Sequence, residues 1–231
     1  MPPEPSEFVS PTTPPTAMSK PEKTPFASDE WEISDIKEQI TFDDSDPYYH
    51  VFNADGRVAV NAYDDMANYT LQVSDGIFVG SANSSEWGAP LAFIPHKGEP
   101  YIITRTNLRG LFEIGGEVFC LWGSSWLDRY PHGGIARLFV NEEYWDINNH
   151  VELPDEPRAF AIDESDVIYV ATLFSLLKVD NEAVATIIAK VPWSPPNSMI
   201  ITGDSLYIGT LGGVAEYNLD TGETRWWVKK G

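Results

Sequence analysis

Leu206-Tyr207-Ile208-Gly209-Thr210-Leu211-Gly212-Gly213-Val214-Ala215-Glu216-Tyr217-Asn218 holds two short apolar strands separated by a Gly-Thr step and a Gly-Gly turn. Apolar and β-branched runs of roughly four to eight residues, bounded by turn residues, favour extended chain, because a buried helix needs a longer run in a 3.6-residue rhythm. The opening of this stretch recurs. A polar or glycine turn leads into an apolar pair with an aromatic second member at Ile77-Phe78, Val118-Phe119, Ile168-Tyr169 and Leu206-Tyr207. The first members lie 41, 50 and 38 residues apart, where four-stranded propeller blades of about 40 to 50 residues would place them. A fifth, degenerate copy begins at Ala54-Asp55-Gly56-Arg57-Val58-Ala59-Val60.

The expectation is therefore an all-β chain folded as a β-propeller of about five four-stranded blades, spanning residues 29–231 behind a leader of residues 1–28. A β-sandwich is the alternative, since it shows the same turns without the angular repetition. Asp220-Thr221-Gly222-Glu223 reads as a tight hairpin with the glycine at positive φ. Ser34 to Ile40 is the one helical candidate. Closing such a ring requires an early strand beside Thr224 to Lys229, because an open edge pairs with other chains.

The Leu206–Asn218 stretch resembles the repeat of two-component-regulator and related bacterial propellers, in which an apolar strand, a Gly-Thr step, a Gly-Gly or Asn-Gly turn and a second strand follow one another. Ile168 to Asp180 is a looser copy without the glycines, and Ile77 to Ser81 matches the first strand and the step. The resemblance implies a fold. It implies no activity, because propellers of this type serve as sensors, binders and enzymes alike.

Composition restricts the partners. Against 15 Lys and Arg stand 35 Asp and Glu, a formal charge of -20 that repels phosphate backbones and anionic lipid surfaces. Such a field attracts cations and basic proteins, or only maintains solubility. Hydrophobic residues form 42% of the chain, and 8 Trp, 10 Tyr and 11 Phe supply large surfaces for a core. No run reaches the roughly 18 apolar residues of a membrane span, and Met1 to Glu4 has no signal-like pattern. The Pro, Ser, Thr and Glu-rich segment from Pro2 to Pro25 reads as an extended tether. With Met1 as the start the chain reads as cytoplasmic; with an anchor before it, as a cell-envelope protein. Cys120, the single cysteine, sits in an apolar run and reads as buried.

The chemistry-bearing residues form no familiar motif. His50, His96, His132 and His150 are scattered, with no metal-ligand spacing among them, and neither a metal nor an organic cofactor is expected. Acidic clusters at Asp43 to Asp46, Asp64-Asp65, Glu142-Glu143 and Asp163 to Asp166 lack the glycine and terminal glutamate of a calcium loop and read as turns. The most distinctive stretch runs from Leu121 to Gly134, with two Trp, a Tyr, a His and three glycines.

Loops carry function when a rigid scaffold holds them, and aromatic side chains serve as interface anchors. The expected function is a monomeric, non-enzymatic module that captures a basic protein through acidic loops with aromatic anchors, on the pattern of immunity proteins that neutralise toxins. The binding residues would be Trp87, Trp126, Asp128, Tyr130, Glu142, Glu143, Tyr144 and Trp145. The alternative is a hydrolase, glycosidase-like or metal-assisted, at the propeller axis. It requires carboxylates or histidines converging on a central pocket, at least one with a perturbed pKa, and a plugged apolar axis would remove it. A third reading is a tethered envelope scaffold.

Overall fold

Short apolar runs broken every dozen residues form strands and no helix among the described residues. A computed structural model of the chain describes residues 24–34, 47–63, 68–82, 88–124, 132–180, 182–190 and 195–230. In chain order the strands are β1 (Trp31–Ser34), β2 (Tyr48–Ala54), β3 (Arg57–Tyr63), β4 (Asn68–Val73), β5 (Gly76–Ser81), β6 (Ala89–Pro95) and β7 (Tyr101–Thr106). They continue with β8 (Leu108–Ile114), β9 (Glu117–Ser124), β10 (His132–Asn141), β11 (Tyr144–Leu153), β12 (Pro157–Ile162) and β13 (Ile168–Thr172). The last are β14 (Ser175–Val179), β15 (Ala185–Lys190), β16 (Ser198–Thr202), β17 (Ser205–Gly209), β18 (Val214–Asn218) and β19 (Thr224–Lys229).

Consecutive strands pair into five antiparallel sheets, the blades of a β-propeller. The first blade is, among the described residues, the β2-β3 hairpin, and the next three are β4 to β7, β8 to β11 and β12 to β15. The fifth is β16 to β19 with β1 added beyond β19. Val58, Ile77, Val118, Ile168 and Leu206, one from each repeat copy, fall on β3, β5, β9, β13 and β17, the second strand of each blade.

The division of the core separates a propeller from a sandwich. Two facing sheets would share one core, whereas here the buried side chains of the described residues form four clusters, each shared by two blades. Phe78 and Phe93 of the second blade meet Leu108 and Leu138 of the third, and Phe119 and Ile135 of the third meet Val170 and Leu177 of the fourth. Leu176 and Tyr169 of the fourth meet Leu206 and Trp226 of the fifth, and Val51 and Val58 of the first meet Tyr207 and Trp227 of the fifth. β13 and β17 are buried on both faces, as strands stacked between neighbours must be. Each large side chain so buried contributes about 1.5 to 3 kcal/mol before entropy is counted.

Closure joins the two ends of the described chain. β1 runs antiparallel to β19, Trp31 opposite Lys229 and Ser34 opposite Trp226, covering an edge that would otherwise recruit another chain. Phe26, within the segment expected to be a leader, is fully buried. It stacks on Trp31 at 5.2 Å and meets the edge of Trp227 at 5.0 Å, and Ala27 N–H donates to the Val58 carbonyl at 2.8 Å. Ser34 of the helical candidate lies in β1, and its remaining residues fall outside the described ones. Gly222 turns the β18-β19 hairpin at φ 72°, and a Cβ on Gly209 would lie 2.1 Å from the Tyr49 carbonyl oxygen, so glycine lets the fifth blade approach the first. Cys120 is fully buried, and its thiol is pushed up to about 12 by that burial.

Candidate site at the propeller axis

The first strands of successive blades lie against one another, β2 against β16, β16 against β12, β12 against β8 and β8 against β4, which makes β2, β4, β8, β12 and β16 the innermost. A recess of about 330 Å³ is lined by residues from all five, among them His50 and Asn53 of β2, Tyr69 of β4, Arg109 of β8, Arg158 and Phe160 of β12, and Asn197 with Ser198 at the start of β16. A cavity touched by every blade lies on the ring's axis. Alternation along each inner strand sets which side chains reach it: in β8 the buried Leu108 and Gly110 flank the partly buried Arg109.

One carboxylate organises the centre. Glu156, on the approach to β12, is completely buried and receives Arg109 Nη2 at 2.5 Å and Arg158 Nη2 at 3.0 Å. The Arg109 and Arg158 side chains are 15% and 27% exposed. Burial depresses the Arg158 pKa, with Glu156 opposing the shift and neighbouring Arg109 adding to it, yet an arginine remains charged at any physiological pH. Desolvation likewise lowers the pKa of His50, so its imidazole is neutral near pH 7. Ser198 Oγ donates to Asn197 Oδ1 at 2.7 Å and accepts Val51 N–H at 2.9 Å, fixing the first blade to the fifth beside the recess.

The glycines of the Leu121–Gly134 stretch serve this centre through space. A Cβ on Gly123 would stand 2.7 Å from Glu156 Cγ, and one on Gly133 would stand 2.3 Å from Pro157 Cδ. Their absence of side chain admits the Glu156-Pro157 segment against β9 and β10. Similarly, a Cβ on Gly110 would lie 2.2 Å from Phe160 Cε1, so β8 and β12 close together at the axis only with glycine there.

None of the described residues singled out from sequence for binding lines the recess. Trp87, Trp126, Asp128 and Tyr130 fall outside the described residues. Glu142, at φ 58°, turns the β10-β11 hairpin. Glu143, Tyr144 and Trp145 line a groove of about 680 Å³ with Asp75 and Tyr101, which shares no residue with the axial recess. Trp145 N–H donates to Tyr101 Oη at 2.8 Å and its indole N–H to Asp75 Oδ2 at 3.1 Å, while Tyr144 is 61% exposed. Glu216 of the repeat stretch is buried within the fifth blade, accepting Ser205 Oγ, Tyr207 Oη and Trp227 Nε1 at 3.2, 3.1 and 2.8 Å. Burial and that carboxylate raise the Tyr207 pKa.

Arg109, Glu156 and Arg158 escaped the sequence reading, and His50 stands there only as one of four scattered histidines. A usable signal existed in a charged residue set inside an apolar inner strand, Leu108-Arg109-Gly110-Leu111-Phe112. Of the histidines, only His50 lines the axis: His96 faces Gln72 at 3.4 Å, His132 lies edge-on to Trp122 and His150 packs on Phe119. Among the described residues no three His, Cys, Asp or Glu side chains converge as a metal site.

No protein-family model and no curated protein matches the chain. Solved structures share its course at low identity. A gluconolactonase from Xanthomonas campestris is 13% identical over 66% of this chain and 58% of its own, with a TM-score of 0.44; the chain thus spans under two thirds of that protein's length. A protein of unknown function from Bacteroides caccae is 10% identical over 79% and 73%, with a TM-score of 0.47. A virginiamycin B lyase from Staphylococcus aureus is 10% identical over 86% and 88%, with a TM-score of 0.41.

The expectation of a non-enzymatic module capturing a basic protein, and with it the immunity-type reading, is corrected here. Among the described residues the axis holds an open recess, lined by a histidine with a depressed pKa and two arginines as well as by apolar side chains. A histidine with a lowered pKa in an axial recess is part of what the enzymatic alternative asks for; the groups beside it are arginines, with no carboxylate and no second histidine among the described lining residues.

Proposed function

We propose that the chain is an enzyme working at the propeller axis, a hydrolase that cleaves a small substrate by addition of water to a carbonyl. The observation that carries this reading is a neutral imidazole, His50, lining the same recess as an arginine pair locked by a buried carboxylate. His50 takes a proton from the attacking water, a role worth about 10² to 10⁴-fold in rate. Arg109 and Arg158 hold the oxygen that becomes negative, and fixed donors at such a point contribute on the order of 10² to 10³-fold. The proton then passes from His50 to the leaving group.

Glycoside hydrolysis is less well supported, since it needs two carboxylates facing each other across the sugar. The recess is lined by none among the described residues, and Glu156 beneath it has both oxygens occupied by arginine. The Gly-Thr and Gly-Gly steps of the fifth blade support kinship with regulator-type propellers, a matter of repeat and not of chemistry.

Assays of small esters, thioesters and lactones with the wild-type chain and with Arg158→Gln test the reading. Turnover by the wild type and a fall in kcat of at least about tenfold in the variant are expected. No turnover across the panel, or an unchanged kcat in the variant, contradicts it.

A further inference from the structure

We infer that the axial recess is built to bind a carboxylate of single negative charge, so that the substrate carries one carboxylate close to the bond that is broken. The catalytic half of this inference rests on the reading above; the binding half stands on its own.

Charge comes first. Arg109 and Arg158 contribute two positive charges and Glu156 one negative, which leaves one positive charge at the centre. Among the described residues no other charged side chain lines the recess. A formal charge of -20 over the whole chain repels anions from afar, so an anion that settles here is selected locally. In the resting site, where His50 carries no charge, a dianion would reverse the sign of the centre and a neutral molecule would leave the surplus charge unpaired; a second negative charge arises only on reaction, as His50 takes up its proton.

Hydrogen bonding points the same way. Arg109 Nε, Arg158 Nε and Asn197 Nδ2 are buried donors without an acceptor, and all three belong to side chains that line the recess. Native proteins leave few such groups, because each costs its full desolvation. Glu156 engages only Nη2 of each arginine, so the rest of each fork is available. A carboxylate offers about four lone-pair sites on two oxygens, a match for paired guanidiniums that a single carbonyl lacks. Among the described residues Asn107 Oδ1 and Thr202 Oγ1 are also buried without a partner, but neither side chain lines the recess.

The test uses three molecules of nearly one shape: succinate, succinamate and succinamide, with two, one and no charges at neutral pH. Their dissociation constants are measured calorimetrically on the full chain, with no turnover involved. In the wild type succinamate binds tightest, at least about tenfold tighter than succinamide. In Glu156→Gln the centre carries two charges and succinate becomes the tightest. In Arg158→Gln, which stays informative if the Glu156 variant does not fold, the advantage of succinamate over succinamide disappears.

Equal binding of succinamate and succinamide by the wild type, absence of saturable binding for all three, or an advantage of succinamate that survives Arg158→Gln overturns the inference. If succinamate binds as stated while the ester and lactone panel yields no turnover, the hydrolase reading falls and the anion site stands. Turnover of uncharged esters without succinamate binding has the reverse meaning.

Discussion

Arg109 and Arg158 stand on the inner strands of neighbouring blades and share one carboxylate, Glu156, at 2.5 and 3.0 Å. Removing that carboxylate leaves two guanidiniums facing each other at low hydration, and loss of one member of a buried ion group typically costs about 3 to 5 kcal/mol. Glu156→Ala should lower the urea midpoint accordingly. Adding Arg109→Met should recover part of the loss, because the remaining arginine no longer faces a second one.

The folded chain resists protonation of His50. Its pKa is lowered by burial, while the unfolded chain titrates near 6.5. The unfolded state therefore binds more protons below that value, so the stability linked to His50 is full above about pH 6.5 and declines as the pH falls through the folded value. Urea midpoints taken from about pH 7.5 down to about pH 5 should fall more steeply for the wild type than for His50→Gln.

Phe26 fastens the start of the described chain to both the first and fifth blades through Val58, Trp31 and Trp227. Truncation of a fully buried phenylalanine costs about 3 to 5 kcal/mol. Phe26→Ala should show that loss in denaturant titration, and β1 should exchange its amide hydrogens faster because its anchor on β19 is weakened.

Gly133→Ala places a methyl group 2.3 Å from Pro157 Cδ and 2.5 Å from the Trp122 carbonyl oxygen. Overpacking of this kind costs about 1 to 3 kcal/mol. Since Pro157 follows Glu156 directly, the variant should also weaken whatever the arginine pair binds, although Gly133 does not line the recess. Calorimetry with succinamate, set against the denaturation midpoint, separates the two effects.

The blades were legible because their signal is local. Ile77, Val118, Ile168 and Leu206 each follow a turn and open a strand, and a strand with two buried faces reads as an apolar run wherever it lies in the ring. The axial site was not legible, because His50, Arg109 and Arg158 come from three blades and meet only once the ring closes. Which face of an inner strand looks to the axis depends on register, and one residue of slip inverts it. Glu143, Tyr144 and Trp145 drew attention by composition, which does not distinguish the outer groove from the axis. In sequence Gly123 and Gly133 belong to a distinctive loop stretch, yet they lie on β9 and β10 and admit Glu156 and Pro157.

The central claim is that chemistry occurs at the axis and not in the outer groove. Its most direct test compares kcat/KM for one hydrolysed substrate in His50→Gln and in Tyr144→Ala, the first altering the recess and the second the exposed aromatic of the groove. A loss of about a hundredfold or more in His50→Gln, with Tyr144→Ala within about twofold of the wild type, is the predicted result. A wild-type rate in His50→Gln with a collapse in Tyr144→Ala would contradict it.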